Sequence, residues 1–372
     1  MTYNNFAYSL GGDVIEKVSG QSHGTFLAER IFNPFGLEDT TLGPVSGSNY
    51  ASSYMALSNA TPYHVKPPPL EDGKLLAAAG ATKSTLNNLL KLYAAWLKAA
   101  HQQTAEKIDP SPFKLVPELW RRRIPVDDVS DYGLDWVVTE LPAKAGLVGL
   151  NAGELEKMPV IAKDTGPRQM IYHQGAMNGA TSAVYLLPES ETVIVVLCNT
   201  LPLCDTPDWV AQLIIETILD CQDRNDFVTL ADDTIKIALS HYPETQEQLD
   251  AEKKPGTPVL PLINYTGRYT NKMSNFFVDV HERAEGLHMT VQSFDSVYFD
   301  LYHYDHDTFA WDCDRDAETK RMIYPQAPIG WHKVSFQTDS EGNVTSLIWA
   351  LDAAVPEGQE FTKIFPEKKG LI

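Results

Sequence analysis

Two short stretches decide the fold of this chain: residues 3–37, YNNFAYSLGGDVIEKVSGQSHGTFLAERIFNPFGL, and residues 173–179, HQGAMNG. In the first stretch, apolar residues repeat at helical spacing until Gly20 interrupts the pattern. The spacing resumes after Ser22 and ends before Pro34, which cannot continue a helix. The sequence therefore predicts two consecutive helices close to its amino end.

The residues after the second stretch predict a hairpin. Residues 182–187 and 192–198 are apolar runs of strand type, and a Pro-Glu-Ser-Glu turn separates them. Amphipathic helices are predicted at 84–100, where Ser84 is a candidate N-cap, and at 207–221. Residues 43–75 are rich in Ser, Gly and Pro and predict a long loop with little regular structure.

A domain boundary is predicted at residues 253–258, KKPGTP, which combine charge, Pro and Gly in the manner of a linker. The expected organisation is a first domain over residues 1–254 and a second over residues 255–372. Short stretches of alternating residues in the second domain predict a small all-β barrel or sandwich. These stretches are residues 276–280, 288–291, 297–302, 334–337 and 344–350.

Taken together, the two opening stretches resemble the serine β-lactamase and penicillin-binding-protein superfamily. The resemblance is strongest to its class C-like branch of β-lactamases, D-aminopeptidases, esterases and transesterases. Three active-site elements mark such proteins: Ser-x-x-Lys, then Tyr-x-Asn or Ser-x-Asn, then Lys-Thr-Gly or His-x-Gly on a strand. Tyr3 and Asn5 match the second element, and His173, Gln174 and Gly175 match the third. Weaker similarities lie at Gly80 with Ser84 and Thr85, and at residues 132–136, YGLDW.

The resemblance implies an α/β (α+β) domain over about residues 1–222, in which helices flank an antiparallel sheet. It also implies a lipocalin-like C-terminal β domain. The implied activity is serine-dependent hydrolysis or acyl transfer on an ester, lactone or amide, without a cofactor. Fungal members of the family often belong to secondary-metabolite gene clusters, so a role in secondary metabolism is a further expectation.

Each matched residue has a chemical role that the resemblance implies. The nucleophilic serine must lose a proton, and Tyr3 would accept it as general base and return it to the leaving group. A free phenol has a pKa near ~10, so neighbouring cations, normally lysines, are expected to lower it. His173 would form a polar or cationic wall of the site. The expected substrate-binding residues are Asn5, Gln174, Gly175 and Ala176, the last through its backbone N–H in the oxyanion hole.

The first family element does not precede Tyr3. The nucleophile, its lysine and the opening strands of the sheet are therefore expected to be missing from this sequence. A Ser-x-x-Lys at 111–114 lies on the wrong side of Tyr3, and Pro110 and Pro112 disfavour the helix that would join its serine and lysine. Two interpretations stay open: an active enzyme without its start, and a non-catalytic protein that keeps the cleft wall for binding.

Three other motifs have simpler structural interpretations. Residues 20–24, GQSHG, match the elbow of α/β-hydrolases, but helical spacing precedes them, so Ser22 is predicted to cap the next helix. Residues 312–318, DCDRDAE, open like a calcium loop with Ala317 at the glycine position, so a solvated turn is expected. Residues 303–307, HYDHD, are interpreted as a hairpin edge, and no metal is expected.

Composition and charge exclude several partners. Thirty Lys and Arg against 49 Asp and Glu give a formal net charge of −19, which disfavours nucleic acid and anionic membranes. Four unevenly spaced cysteines indicate neither a zinc cluster nor a disulfide framework.

The longest aliphatic run, Val193–Leu197, is too short for a membrane span, and no secretory signal is visible, so a cytoplasmic location is expected. The expected partner is a small-molecule ester or amide, and an uncovered sheet edge predicts self-association, for example as a homo-oligomer.

Overall fold

A computed structural model describes residues 3–45, 48–104, 113–284, 286–352 and 354–365. The chain forms two compact units, residues 1–237 and residues 238–372. Each unit has its own hydrophobic core. The division between the units falls inside a long helix, on the N-terminal side of the segment where the sequence predicts a linker.

The first unit is built around a six-stranded sheet. The strands of this unit are β1 (Ser53–Ala56), β2 (Pro62–Val65), β3 (Ile124–Pro125), β4 (Asp131–Tyr132), β5 (Val137–Leu141), β6 (Ala143–Lys144), β7 (Val160–Ile161), β8 (Arg168–Met177), β9 (Ala180–Leu187), β10 (Thr192–Cys198) and β11 (Thr200–Leu201). The large sheet has the order β10-β9-β8-β5-β4-β3, so β10 forms one of its edges. Each neighbouring pair in it is antiparallel, which confirms the predicted sheet and the β9–β10 hairpin. β1 pairs with β2 and β11, and β6 pairs with β7.

Helices cover both faces of this sheet. The helices are α1 (Asn5–Ser19), α2 (His23–Leu27, continued by a π turn over Ala28–Phe32), α3 (Ala77–Gly80), α4 (Leu86–Thr104), α5 (Val116–Leu119), α6 (Asn151–Glu154), α7 (Thr206–Ile218) and α8 (Phe227–Glu252). α4 packs its apolar side on Ile171 and Val184, whereas α7 packs on Tyr172 and Tyr185. Because neighbouring strand residues face opposite sides, the two helices lie on opposite faces. The fold is thus the predicted α/β arrangement.

The first two helices match the sequence prediction. The Asn4 side chain accepts two backbone hydrogen bonds and caps α1, and Gly20 ends this helix in the left-handed conformation with a φ of 72°. Ser22 caps α2 by accepting a backbone hydrogen bond. A helix therefore precedes residues 20–24, and the hydrolase-elbow interpretation, which needs a preceding strand, is excluded.

Two local predictions about the first unit are wrong. The predicted loop at residues 43–75 contains a local antiparallel hairpin of β1 and β2. β1 also pairs with β11, which lies far along the chain and which local composition does not reveal. The predicted cap of α4 is also displaced by one residue. The Asn88 N–H donates to Thr85 Oγ1 at 3.3 Å, whereas the Ser84 hydroxyl is hydrogen-bonded to Thr40 at 2.7 Å.

The second unit is a closed eight-stranded antiparallel barrel. Its strands are β12 (Gly267–Asn271), β13 (Phe277–Arg283), β14 (Gly286–Val291), β15 (Tyr298–Asp305), β16 (Thr308–Ala310), β17 (Lys333–Thr338), β18 (Val344–Trp349) and β19 (Gln359–Ile364). Strands that follow each other in the chain are neighbours, and β12 also pairs with β19. Of the two β architectures that the sequence allows, the barrel is therefore the one formed. Its description as lipocalin-like stays a prediction.

Large side chains fill the barrel interior. The biggest fully buried ones are Trp349, Tyr265, Tyr269, Phe299, Phe309 and Phe361. Ring centroids of Phe299 and Trp311 lie 4.4 Å apart, and those of Trp331 and Trp349 lie 5.0 Å apart. These rings pack closely and form an aromatic core in the described part of the barrel.

The two acidic motifs of the second unit are ordinary secondary structure. Residues 312–318 begin α9 (Arg315–Lys320), where the Ala317 N–H donates to Asp314 Oδ1 at 2.9 Å. The expected solvated turn is therefore wrong, because Asp314 serves as a helix cap. Residues 303–307 lie at the β15–β16 hairpin, which confirms that prediction.

Candidate active site

The structure places Tyr3 and His173 side by side. Tyr3 directly precedes Asn4, the N-cap of α1, and His173 lies within β8. Their ring centroids are 5.7 Å apart. The Tyr3 hydroxyl donates to Asn5 Oδ1 at 3.1 Å, and Tyr3 is 41% exposed. The residues that match the second and third family elements thus share one surface, and their catalytic roles stay predictions.

Two further tyrosines, which the sequence analysis did not assign, extend this surface. The Tyr8 ring stacks on that of Tyr3 at 5.7 Å, and the Tyr132 ring meets Tyr3 edge-on at 6.5 Å. The Tyr8 and Tyr132 hydroxyls are 3.3 Å apart. We call Tyr3, Tyr8 and Tyr132 the tyrosine wall. The weak similarity at residues 132–136 was the signal for Tyr132, whereas no sequence signal marks Tyr8.

Hydrogen bonding fixes the proton of His173. Its Nδ1 lies 2.5 Å from the Gln174 carbonyl oxygen, which can only accept, so Nδ1 carries the hydrogen. Nε2 then accepts from the Tyr132 hydroxyl at 3.0 Å. Burial lowers the pKa of His173, and the nearby charge of Asp135 opposes this effect. Burial thus favours the neutral, accepting form of His173, and its role as a polar or cationic wall stays a prediction.

Asp135 brings a carboxyl to the same cluster. It lies between β4 and β5 and has a φ of 70°, a backbone conformation that residues other than glycine rarely adopt. Burial raises the pKa of Asp135, while His173 and the hydroxyls of Tyr8 and Tyr132 favour its ionised form. No lysine or arginine of the described residues pairs with it.

The phenol of Tyr3 is held in its protonated form. Burial, followed by the negative charge of Asp135, raises the pKa of Tyr3 to about 12. Only about one molecule in 10⁵ is then ionised at pH 7. The sequence predicts cations beside this phenol, but the described residues supply a carboxylate. Within the described cluster, Tyr3 is therefore a proton donor.

Strand geometry separates the remaining predicted residues. His173 and Gly175 share one face of β8, and a Cβ at Gly175 would lie 2.8 Å from Ser182 Oγ. Gln174 points to the opposite face, where it is buried and donates to Asp208 Oδ1 at 2.8 Å. A substrate contact by Gln174 is therefore restricted to its backbone. Ala176 is exposed near the end of β8, which leaves its predicted oxyanion role untested.

A buried acidic network contacts β8 on the face opposite His173. Asp208 is fully buried and accepts hydrogen bonds from Tyr185 at 2.5 Å, Gln174 at 2.8 Å and Gln212 at 2.9 Å. Burial raises the pKa of Asp208, and burial with the charge of Asp208 raises the pKa of Asp205 to about 7. Both carboxyls lie at the start of α7, and Asp208 joins this helix to Gln174 on the strand that carries His173.

The described residues leave the nucleophile unassigned. None of their serine hydroxyls is hydrogen-bonded to Tyr3 or His173. Ser111 and Pro112 of the Ser-x-x-Lys match lie outside the described residues. Elsewhere, a cavity of about 530 Å³ lies beside β1 and β11, and one of about 410 Å³ lies on the barrel.

The described residues contain neither a group of metal ligands nor a helix suited to a membrane. Within residues 3–365, apart from the gaps given above, no three His, Cys, Asp or Glu side chains are grouped to hold a metal. No helix in this part of the chain combines the length and apolar character that a bilayer span needs.

Comparison with known proteins decides the family. The Beta-lactamase family model matches residues 1–216, which is more than half of the chain. The chain belongs to the β-lactamase family. A second model, named Domain of unknown function (DUF3471), matches residues 251–363, which include the barrel. This β-lactamase-family protein therefore carries the expected superfamily fold and a separate C-terminal β domain.

Its relatives are distant. Unguisins hydrolase ungD' of Aspergillus campestris is 21% identical over 280 residues, which are 72% of this chain and 47% of that protein. Penicillin-binding protein 4* of Bacillus subtilis is 28% identical over 162 residues, 41% of this chain and 34% of that protein. The octameric penicillin-binding protein homologue from Pyrococcus abyssi aligns with a TM-score of 0.44 and 14% identity, over 95% of this chain and 62% of that one. The chain thus spans about half the length, or less, of the curated relatives it matches.

Proposed function

We propose that this protein is a hydrolase or acyl-transfer protein that acts on an ester, lactone or amide of a small molecule. One observation carries the proposal: the Tyr3 and His173 rings lie 5.7 Å apart, and the Tyr3 hydroxyl is bonded to Asn5. Membership of the β-lactamase family supports it. The Aspergillus relative is named a hydrolase, which supports hydrolysis as the proposed reaction. Secondary metabolism stays the proposed setting.

The described residues supply the proton chemistry of such a reaction. A serine oxygen attacks the carbonyl carbon and its proton must leave, and the bond to the leaving group then breaks as that group takes up a proton. Tyr3, with a pKa of about 12, is suited to the donating step. Acceptance of the serine proton needs a cation beside Tyr3, since a cation lowers the pKa of a phenol.

An acylating probe tests this proposal. A fluorophosphonate and a penicillin-type probe are incubated with the protein, and intact-mass and peptide mass spectrometry locate the label. We expect labelling of one serine, slowed at least about 100-fold by Tyr3→Phe. Tyr63→Phe is the matched control, because Tyr63 is also an exposed tyrosine. Labelling that Tyr3→Phe leaves unchanged would contradict the proposed role of Tyr3.

A second candidate function is ligand binding without catalysis. The raised pKa of Tyr3 favours binding without catalysis, because the described neighbours of this phenol disfavour the ionised form that a general base needs. In that case neither probe forms a covalent adduct, and a small ester binds reversibly without turnover. Four free cysteines support the cytoplasm as the proposed compartment in both cases.

A further inference from the structure

The first helix exposes four of its large apolar side chains. They follow each other at intervals of four residues and so form one row along α1: Phe6, Leu10, Val14 and Val18. Each of them is 55–82% exposed. We call these four residues the α1 row. Because a surface helix normally directs its apolar residues towards the core, an exposed row of this length marks a contact surface.

The opposite side of α1 meets the rest of its domain. The buried residues of this helix are Ser9 and Gly12, and a Cβ at Gly12 would lie 2.7 Å from the Ala78 Cβ in α3. At 3.6 residues per turn, the α1 row lies on the far side of the helix from these two residues. A Cβ at Gly11, beside the row, would have no neighbour within 4 Å outside its own helix. The row therefore faces open space in the part of the chain that the structure describes.

The size of the α1 row matches an interface between two copies of this chain. Each of its side chains leaves about 100 Å² of apolar surface exposed, so two copies bring about 800 Å² to a shared contact. Exposed Ala7 and Gly11 lie beside the row and add to this area. The total approaches the roughly 1,000 Å² that a specific protein–protein interface needs.

The charge of this helix face also fits a second copy. Among the exposed positions of α1, the charged residues are one acid, Asp13, and one base, Lys17. The face therefore carries no net charge, and the repulsion between two chains of formal net charge −19 is not concentrated at this contact. An anionic membrane surface, by contrast, would be repelled by the charge of the whole chain.

We propose that the α1 row is the interface of a homodimer in which two α1 helices pack antiparallel. A two-fold axis beside the middle of the row lets Leu10 face Val14 of the partner subunit. The same axis brings Phe6 to Val18 of the partner subunit. Each contact joins a larger apolar side chain to a smaller one, which suits close packing. The dimer goes beyond the proposed function, because it needs no chemistry at the tyrosine wall.

Mixing two variants tests this pairing. Both are made in a Leu197→Lys parent, because β10 is an exposed sheet edge that can associate separately. Light scattering at protomer concentrations of about 1–100 µM should give the parent a mass of twice 41.4 kDa. Leu10→Glu and Val14→Lys should each weaken the dimer at least about tenfold, because each places a charge against an apolar side chain. An equimolar mixture of the two should restore the dimer, because opposite charges then face each other.

Val228→Glu is the matched control. Val228 is an exposed valine on α8, outside the α1 row, so this substitution should leave the dimer intact. Restoration by mixing also shows that both variants are folded. A monomeric parent, a dimer that tolerates Leu10→Glu, or a mixture that stays monomeric overturns the proposal. If the parent is monomeric, co-sedimentation with phosphatidylcholine vesicles that Leu10→Glu abolishes would assign the row to a lipid surface, and its absence would assign the row to a different polypeptide.

Discussion

Replacing Asp205 with asparagine is predicted to flatten the pH dependence of stability in the first unit. Asp205 is fully buried at the N-cap of α7. Burial and the neighbouring Asp208 raise its pKa from 3.8 to about 7. In the unfolded chain the same carboxyl titrates near its ordinary value. The folded state therefore holds a proton that the unfolded chain releases between about pH 4 and pH 7.

The sign and size of the effect follow from this difference in proton binding. Because the folded state binds more protons in that window, the free energy of unfolding falls as pH rises through it. The contribution is fully present below about pH 4 and is lost as pH rises through about 7. Three pH units at about 1.36 kcal/mol each set an upper limit of about 4 kcal/mol on the contribution of this proton to the free energy of unfolding. Since Asp208 lies beside Asp205, the pair carries this proton together.

Hydrogen exchange followed by mass spectrometry measures the effect locally. Urea titrations at pH 5, 6, 7 and 8, corrected for intrinsic exchange rates, give the free energy of unfolding for peptides from β8 and α7. About two of the three pH units of this titration lie above pH 5, so we expect a loss of about 2–3 kcal/mol from pH 5 to pH 8, reduced by at least half in Asp205→Asn. Asparagine retains a capping oxygen and cannot titrate. Asp128→Asn should keep the original slope, and an equal slope in Asp205→Asn would refute the buried-proton explanation.

Three further predictions concern strain, the buried network and the sheet edge. Asp135→Gly should raise the unfolding free energy by about 1 kcal/mol, because glycine adopts positive φ without strain; a lower melting temperature would contradict this. Tyr185→Phe should cost about 1.5–3 kcal/mol in urea unfolding, because it removes the hydroxyl that donates to buried Asp208; an unchanged midpoint would show that water replaces that donor. Size-exclusion chromatography should show association through β10, an apolar edge strand on which Leu197 is 44% exposed, and Leu197→Lys should shift elution towards 41.4 kDa. A monomer without the substitution would contradict the last prediction.

The parts of the fold that local chemistry determines could be predicted from the sequence. Gly20 and Ser22 set the boundary between α1 and α2 through backbone conformation and a single capping hydrogen bond. The β9–β10 hairpin follows from two apolar runs and the turn between them. By contrast, the Ser- and Pro-rich sequence of β1 and β2 concealed their local hairpin, and the pairing of β1 with β11 joins distant segments.

The candidate site was predictable only where a known motif marks it. Tyr3, Asn5 and His173 are found from motif spacing, and the structure brings them together. The tyrosine wall was missed because its contacts join distant segments: Tyr8 and Tyr132 meet across 124 residues. The pKa of Tyr3 also depends on Asp135, whose approach no local pattern reveals.

The filled barrel has a consequence for what the C-terminal unit can accommodate. An eight-stranded barrel of this size either holds its own side chains or leaves space for one small guest. Here Trp349, Phe299 and Phe309 already occupy that volume. Any molecule recognised by this unit must therefore dock on its outside or at its rims. Conversion of the barrel into a carrier would require truncation of these rings, at about 3–5 kcal/mol for each one replaced by alanine.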